Sequence, residues 1–228
     1  MIINLTMENY KSQVHNTKET LLNIFYKIKR KGKNMNIYLT SYGVDTRYKD
    51  YMNSYEDILR VLKNKNVAII PNAKLVSEHR TNSNVAKKEF TKNGITAKII
   101  DLDKQNLNIK KYDALYLSGG EPKNLMDSII KSNNYEIIKK FIDNGGIIIG
   151  QSAGAMIFNK NYLDTTTGEL LIMDNGFDYY DKIIVPHYNN LPKELLNKIP
   201  SNILKINDND NLYKLDIKDK NNENIERR

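Results

Sequence analysis

From Met35 onward, short apolar runs alternate with stretches whose apolar residues recur at helical spacing. Strands are predicted at 36–40, 67–70, 97–100, 114–118, 146–149 and 182–185, and helices at 53–64, 81–93, 123–131, 134–144 and 152–159. The run Ile147-Ile148-Ile149 is apolar throughout, as in strands buried on both faces. This alternation predicts an α/β fold in which helices cover both faces of a mostly parallel sheet.

Both ends of the chain depart from this pattern. Residues 1–34 combine a capping box (Asn16 to Glu19) with an apolar helical stripe and carry seven Lys and Arg against two Glu. We interpret them as a basic helical extension that is either docked on the domain at 35–228 or loose ahead of Met35, rather than bound to a membrane or a partner. After Pro186, residues 203–206 and 212–217 predict a terminal hairpin. Its turn, residues 207–211, lacks the glycine and closing glutamate of a calcium loop.

The composition of the chain argues against several classes of function. The chain has no Cys, which excludes disulfides and cysteine nucleophiles and fits a reducing cytoplasm. No signal peptide or apolar stretch of membrane-spanning length is visible, so stable membrane insertion is not expected. More than half of the net charge of +8 belongs to the extension, and no aromatic reading motif accompanies it. Nucleic acid is therefore not an expected partner.

The most informative motif is Gly150-Gln151-Ser152-Ala153-Gly154, a G-x-S-x-G pentapeptide between a predicted strand and a predicted helix. This is the context of a nucleophile elbow, whose sharp turn exposes a serine hydroxyl and requires small neighbours. The same turn directs the N–H of Ala153 at a developing oxyanion. The alternative is an ordinary glycine-rich turn or a phosphate site at a helix start. The flanking elements favour Ser152 as a nucleophile.

A serine nucleophile needs a base, and the chain has three histidines. His15 lies in the extension and His79 in a polar stretch, whereas His187 follows a predicted strand and is the favoured base. The orienting acid is sought between Ser152 and His187. The spacing leaves open five candidates: Asp164, Glu169, Asp174, Asp178 and Asp181.

A second glycine pair, Gly119-Gly120, follows the predicted strand 114–118. Its backbone allows close approach and positive φ, so the N–H of Gly120 is a candidate second oxyanion donor. A plain turn before the helix that opens at Pro122 is the equal alternative.

Together these pieces resemble the serine peptidase family that contains aspartyl dipeptidase (peptidase E) and cyanophycinase. The resemblance rests on Asn36 to Ser41, Tyr116 to Gly120, Gly150 to Ala155 and Pro186-His187-Tyr188, and runs from about Met35 to Asn189. It implies a flavodoxin-like, three-layer α/β/α sandwich related to class I glutamine amidotransferases. It also implies Ser152 as nucleophile, His187 as base, Glu169 as acid with Asp174 second, and Gly120 as oxyanion donor.

We therefore expect a cytoplasmic serine peptidase that hydrolyses short peptides through an acyl-enzyme, without metal or organic cofactor. The sequence is compatible with a homodimer and does not decide the oligomeric state. Aspartyl specificity does not follow, because no Arg stands between His187 and Arg227. Glu121 also replaces the Asn that the family usually has after the glycine loop. The alternatives are a non-peptidase esterase or amidase, and an inactive amidotransferase-like binding module. Glutamine amidotransfer is disfavoured, since that chemistry uses Cys where this chain has Ser152.

Overall fold

The computed structural model describes residues 35–48, 50, 53–75, 81–164 and 170–216. Within these ranges the strands are β1 Asn36–Thr40, β2 Asn66–Ile70, β3 Thr96–Ile99, β4 Ala114–Leu117, β5 Ile147–Gln151, β6 Tyr162–Asp164, β7 Leu171–Met173, β8 Ile183–Val185, β9 Ile203–Lys205 and β10 Tyr213–Lys214. The six predicted strands are all present. The hairpin formed by β6 and β7 was not predicted.

The helices are α1 Tyr55–Leu62, α2 Thr81–Lys92, α3 Pro122–Lys131, α4 Tyr135–Asp143, α5 Ala153–Met156 and α6 Lys193–Leu196, with 3-10 turns at Ile109–Lys111 and Tyr188–Asn190. Pro122 occupies the first turn of α3, as predicted. α5 is much shorter than the predicted helix 152–159. After Met156 the chain instead pairs with a later segment, since the carbonyls of Ile157 and Phe158 accept hydrogen bonds from the N–H groups of Phe177 and Tyr179.

The main sheet has six strands in the order β10-β1-β5-β4-β2-β3. β1, β5, β4, β2 and β3 pair in parallel, and β10 adds to the edge of β1 in antiparallel orientation. Because parallel strands end at the same edge, the loops after β1, β4 and β5 lie side by side. This edge is where the chemistry is expected.

Alternate residues of the strands bury opposite faces of the sheet. On one face, Leu39, Leu117 and Ile148 belong to a core that includes residues of α3 and α4. On the other face, Tyr116 and Ile149 pack with residues of α1 and α2. Helices thus cover both faces, and the predicted three-layer α/β/α architecture is confirmed.

The predicted terminal hairpin is wrong. β9 pairs in parallel with β8 in a separate two-stranded sheet, whereas β10 pairs with β1 of the main sheet. Both segments are short and apolar, and each finds a partner far along the chain instead of its neighbour. The expectation that 182–185 belongs to the main sheet is corrected by the same pairing.

No helix within the described ranges is long and apolar enough to cross a membrane. The predicted extension 1–34 lies outside those ranges, so its helical structure and its separation from 35–228 stay predictions.

Candidate active site

Ser152 lies at the turn between β5 and α5, with φ +50° and ψ −112°. Positive φ is strained for a serine, and this strain is typical of a nucleophile elbow. A side chain on Gly150 would overlap the backbone of Gly154, and one on Gly154 would overlap Leu117. The turn therefore needs its small residues for steric reasons, as the motif predicted.

His187 follows β8 and reaches the serine from outside the main sheet. Its Nε2 lies 3.0 Å from Oγ of Ser152. Its backbone has φ +57°, and its N–H donates to Oγ of Ser41 at 3.0 Å. Ser41 directly follows β1, so this hydrogen bond ties His187 to the sheet edge. The structure thus brings together the two residues that the sequence selected.

The second ring nitrogen of His187 faces Asp208. Nδ1 lies 2.5 Å from Oδ1 of Asp208, whose side chain is fully buried. An ionised carboxylate can only accept hydrogen bonds, so this contact favours the tautomer with the proton on Nδ1. Nε2 is then left as an acceptor for the hydroxyl proton of Ser152. The geometry is that of a serine, histidine and aspartate in one hydrogen-bonded chain.

Asp208 is not among the five candidate acids predicted from the sequence, all of which lie before His187. Glu169 lies outside the described residues, so its assignment stays a prediction. Its expected place on Nδ1 is nevertheless taken by Asp208. The ring nitrogens of His187 bond to Ser152 and Asp208, and not to Asp174 or Asp164. The sequence predicts a hairpin turn at 207–211, whereas the parallel pairing of β9 with β8 brings Asp208 to the histidine.

The glycine loop after β4 lies against the elbow. A side chain on Gly119 would stand 3.2 Å from Cβ of Ser152, and one on Gly120 would overlap the carbonyl of Ala73. The N–H of Gly119 donates to Oε1 of Gln151 at 3.3 Å. Within the described part of the chain, no acceptor is seen for the N–H groups of Gly120 and Ala153. Both N–H groups, which the sequence selects, are therefore candidate donors to an oxyanion.

Gln151 links the loops around Ser152, a role that the motif does not reveal. Its Oε1 also accepts from the hydroxyl of Tyr116 at 3.0 Å, and its Nε2 donates to the carbonyl of Tyr42 at 2.8 Å. Burial raises the pKa of Tyr116 well above its usual range, so the hydroxyl stays a donor. The ring of Tyr42 in turn packs edge-on against His187 at 4.7 Å.

A guanidinium also lies near the glycine loop. Arg47 donates to Asn82, whose amide donates to the carbonyl of Gly119 at 3.1 Å. Arg47 is paired with the buried carboxylate of Asp45, and this hydrogen bond raises the pKa of Arg47. Because Asp45 already balances its charge, Arg47 does not establish a preference for acidic substrates.

Among the residues that the structure describes, no group of three or more His, Asp or Glu side chains is placed to hold a metal ion.

Comparison with known proteins places this chain in a family. The model of peptidase family S51 matches residues 37–220. An uncharacterized peptidase of Listeria monocytogenes is 29% identical over 176 residues, which is 72% of this chain and 83% of that protein. An uncharacterized peptidase of Pasteurella multocida is 28% identical over 156 residues, 64% of this chain and 75% of that protein.

A solved structure points the same way. The crystal structure of a candidate peptidase E from Listeria monocytogenes EGD-e superposes with a TM-score of 0.59 at 26% identity, over 76% of this chain and 91% of that chain. The resemblance drawn from the elbow, the glycine loop and the histidine is confirmed. The chain belongs to peptidase family S51, and it is a peptidase, a hydrolase of the serine class.

Proposed function

We propose that the protein hydrolyses short peptides through an acyl-enzyme on Ser152, with His187 as the base and Asp208 as the orienting acid. The observation that carries this proposal is the continuous chain from Oγ of Ser152 through both ring nitrogens of His187 to Asp208, at 3.0 and 2.5 Å. The serine at its end sits on a strained strand-to-helix turn. In this arrangement an otherwise weak nucleophile can be activated.

In the first half of the reaction, Nε2 of His187 takes the proton of Ser152 while Oγ bonds to the substrate carbonyl carbon. Asp208 stabilises the resulting imidazolium. The negative charge moves to the substrate oxygen, where the N–H groups of Gly120 and Ala153 can hold it. When the C–N bond breaks, the imidazolium gives its proton to the leaving amine. A water molecule, deprotonated by His187, then releases the acyl group and restores the serine.

Short peptides are the proposed substrates, since the loops of such folds enclose small pockets. An aspartyl preference is not part of this proposal. The segment after His187 has no Arg, and Arg47 is already paired with Asp45.

The first experiment treats the purified protein with a fluorophosphonate probe and measures its intact mass. We expect one adduct on the wild type and none on Ser152→Ala, because the probe requires an activated hydroxyl. His187→Ala should react far more slowly, since the base is missing. Ser201→Ala, an exposed serine elsewhere, is the matched control and should react like the wild type.

The same samples are then tested on a panel of dipeptides, tripeptides and simple esters. Peptide cleavage that disappears in Ser152→Ala supports the proposal, whereas cleavage of esters alone would favour a non-peptidase esterase. A folded wild type that neither reacts with a large and a small probe nor cleaves any substrate would overturn it and favour a binding module.

A further inference from the structure

We propose that Asn190 is a positioning residue that fixes the carboxylate of Asp208, and through it the tautomer of His187. This inference rests on the proposed function, in which Asp208 orients the base. It assigns a role to a residue that does not touch the reacting atoms.

Asn190 is hydrogen-bonded to both His187 and Asp208. Its backbone N–H donates to the carbonyl of His187 at 2.9 Å, within the 3-10 turn Tyr188–Asn190 that begins directly after the histidine. Its side-chain Nδ2 donates to Oδ2 of Asp208. Asn190 therefore links the backbone of His187 to Oδ2 of Asp208, the carboxylate oxygen that does not bond to the imidazole.

The carboxylate of Asp208 needs this donor because it is fully buried. A buried carboxylate is stable as an anion only when hydrogen bonds replace its lost hydration. Oδ1 is occupied by the ring of His187, and within the described residues Asp208 forms no ion pair with a Lys or Arg. The amide of Asn190 supplies the hydrogen bond on Oδ2, and it cannot take the proton that belongs on Nδ1.

The backbone around Asp208 has anchors that do not depend on Asn190. The N–H of Asp208 donates to Oδ1 of Asn189 at 2.9 Å, and the hydroxyl of Ser41 lies 3.3 and 3.2 Å from the carbonyls of Ile206 and Asn207. Asn190 itself is solvent-exposed and packs in no core cluster. Removing its amide should therefore leave the loop folded and act on the orientation of Asp208.

The test compares Asn190→Ala and Asn190→Leu with the wild type in probe labelling and peptide hydrolysis. Alanine lets water reach Oδ2, whereas leucine keeps a similar volume, excludes water and offers no donor. We expect Asn190→Ala to lower kcat on the order of tenfold and Asn190→Leu to lower it further, on the order of a hundredfold at most. KM should stay within about twofold, because substrate binding is not involved.

Two controls separate positioning from a structural role. Asn197→Leu, at an exposed Asn beyond the 3-10 turn, should behave like the wild type. In an Asp208→Ala background, Asn190→Leu should have almost no further effect, because its action passes through Asp208. The inference is overturned if leucine restores the rate lost with alanine, if KM rises in place of the fall in kcat, or if the loss is undiminished without Asp208.

A spectroscopic measurement decides the same question without turnover. In ¹⁵N-labelled protein, the short bond to Asp208 should give the Nδ1 proton of His187 a strongly downfield resonance, absent in His187→Ala and Asp208→Ala. Asn190→Leu should shift or broaden this resonance, and Asn197→Leu should not. If the wild type neither reacts with the probe nor cleaves peptides, the proposed function fails. An unchanged resonance in Asn190→Leu would refute the positioning role in either case.

Discussion

The two halves of the candidate site are built in different ways. Ser152 and the glycine loop belong to the nucleophile edge, defined here as the residues that directly follow β1, β4 and β5 of the main sheet. His187 and Asp208 belong to the base segment, residues 183–210, which forms its own parallel pair β8–β9. The first half is fixed by neighbouring strands of one sheet. The second reaches the same place through a separate sheet and the hydrogen bond between His187 and Ser41.

This difference explains why the two halves carry different sequence signals. At the nucleophile edge, Ser152 and Gly120 each follow an apolar strand within a glycine-containing motif, so a local pattern marks them. In the base segment, Asp208 becomes functional only because β9 runs parallel to β8, a pairing between distant segments. We therefore expect the effects of substitutions at the nucleophile edge to be predictable from the sequence motifs. The effects of substitutions in the base segment should depend on the contacts seen in the structure.

The largest expected effect tests the base segment directly. Asp208→Asn should lower kcat/KM by on the order of 10⁴, because a neutral amide stabilises neither the required tautomer nor the imidazolium. Asp174→Asn should leave activity near that of the wild type, since Asp174 does not contact the ring of His187. Steady-state peptide hydrolysis and probe labelling measure both variants.

Glu169→Gln completes this comparison, because the sequence resemblance implies Glu169 as the acid. If Asp208 orients His187, the Glu169 variant should keep most of its activity. A loss as large as that of Asp208→Asn, together with an active Asp208→Asn, would return the role of the acid to the segment between Ser152 and His187.

Most of the main sheet could be predicted from the sequence because most of its strands contain short apolar runs that alternate with helical stretches. Five of the six predicted strands lie in it, and the strand before Ser152 leads into the elbow as expected. Ser152, Ala153 and Gly120 followed from the motifs that end those strands, and His187 from being the best placed of three histidines. The structure places Ser152 and His187 within hydrogen-bond distance because local pattern and tertiary structure agree there, and the catalytic roles of the selected residues stay predictions.

The remaining features depend on contacts between distant segments. β9 is only three residues long, and its apolar pattern suits either a hairpin with β10 or a parallel pair with β8. Gln151 reads as the variable position of the G-x-S-x-G motif, yet its amide joins Tyr116, Gly119 and Tyr42. No periodicity marks such roles, since they arise from side-chain geometry after the chain has folded.

A smaller effect sharpens the comparison at the nucleophile edge. Gly120→Ala should lower kcat by about 10²–10³, the usual loss of one oxyanion donor, because a side chain there would overlap Ala73 and displace the N–H. Gly94→Ala is the matched control. Gly94 also has positive φ, +71°, but a side chain there would meet open space. The control should lose about 1 kcal/mol of stability from strain and keep wild-type kcat.

Thermal unfolding distinguishes loss of the donor from loss of the fold in these two variants. If Gly120→Ala keeps wild-type kcat while its stability falls, Gly120 is only a steric requirement of the turn. The second oxyanion donor would then have to be sought elsewhere on the nucleophile edge.

The smallest effect concerns the pH dependence of folding at the same edge. Burial raises the pKa of Tyr116 in the folded protein, whereas the unfolded chain keeps a value near 10. The stabilisation from the neutral hydroxyl is complete below about pH 10. It should fall by about 1.4 kcal/mol per pH unit above that value, as the unfolded state ionises first.

Tyr116→Phe should remove this contribution from the alkaline slope in urea unfolding. Phe90→Leu, which alters the ring packed against Tyr116, should lower stability without changing that slope. An identical alkaline slope in Tyr116→Phe and the wild type would show that the Tyr116 hydroxyl ionises in the folded protein. The hydrogen bond to Gln151 would then be lost above about pH 10, where the phenolate has no proton to donate.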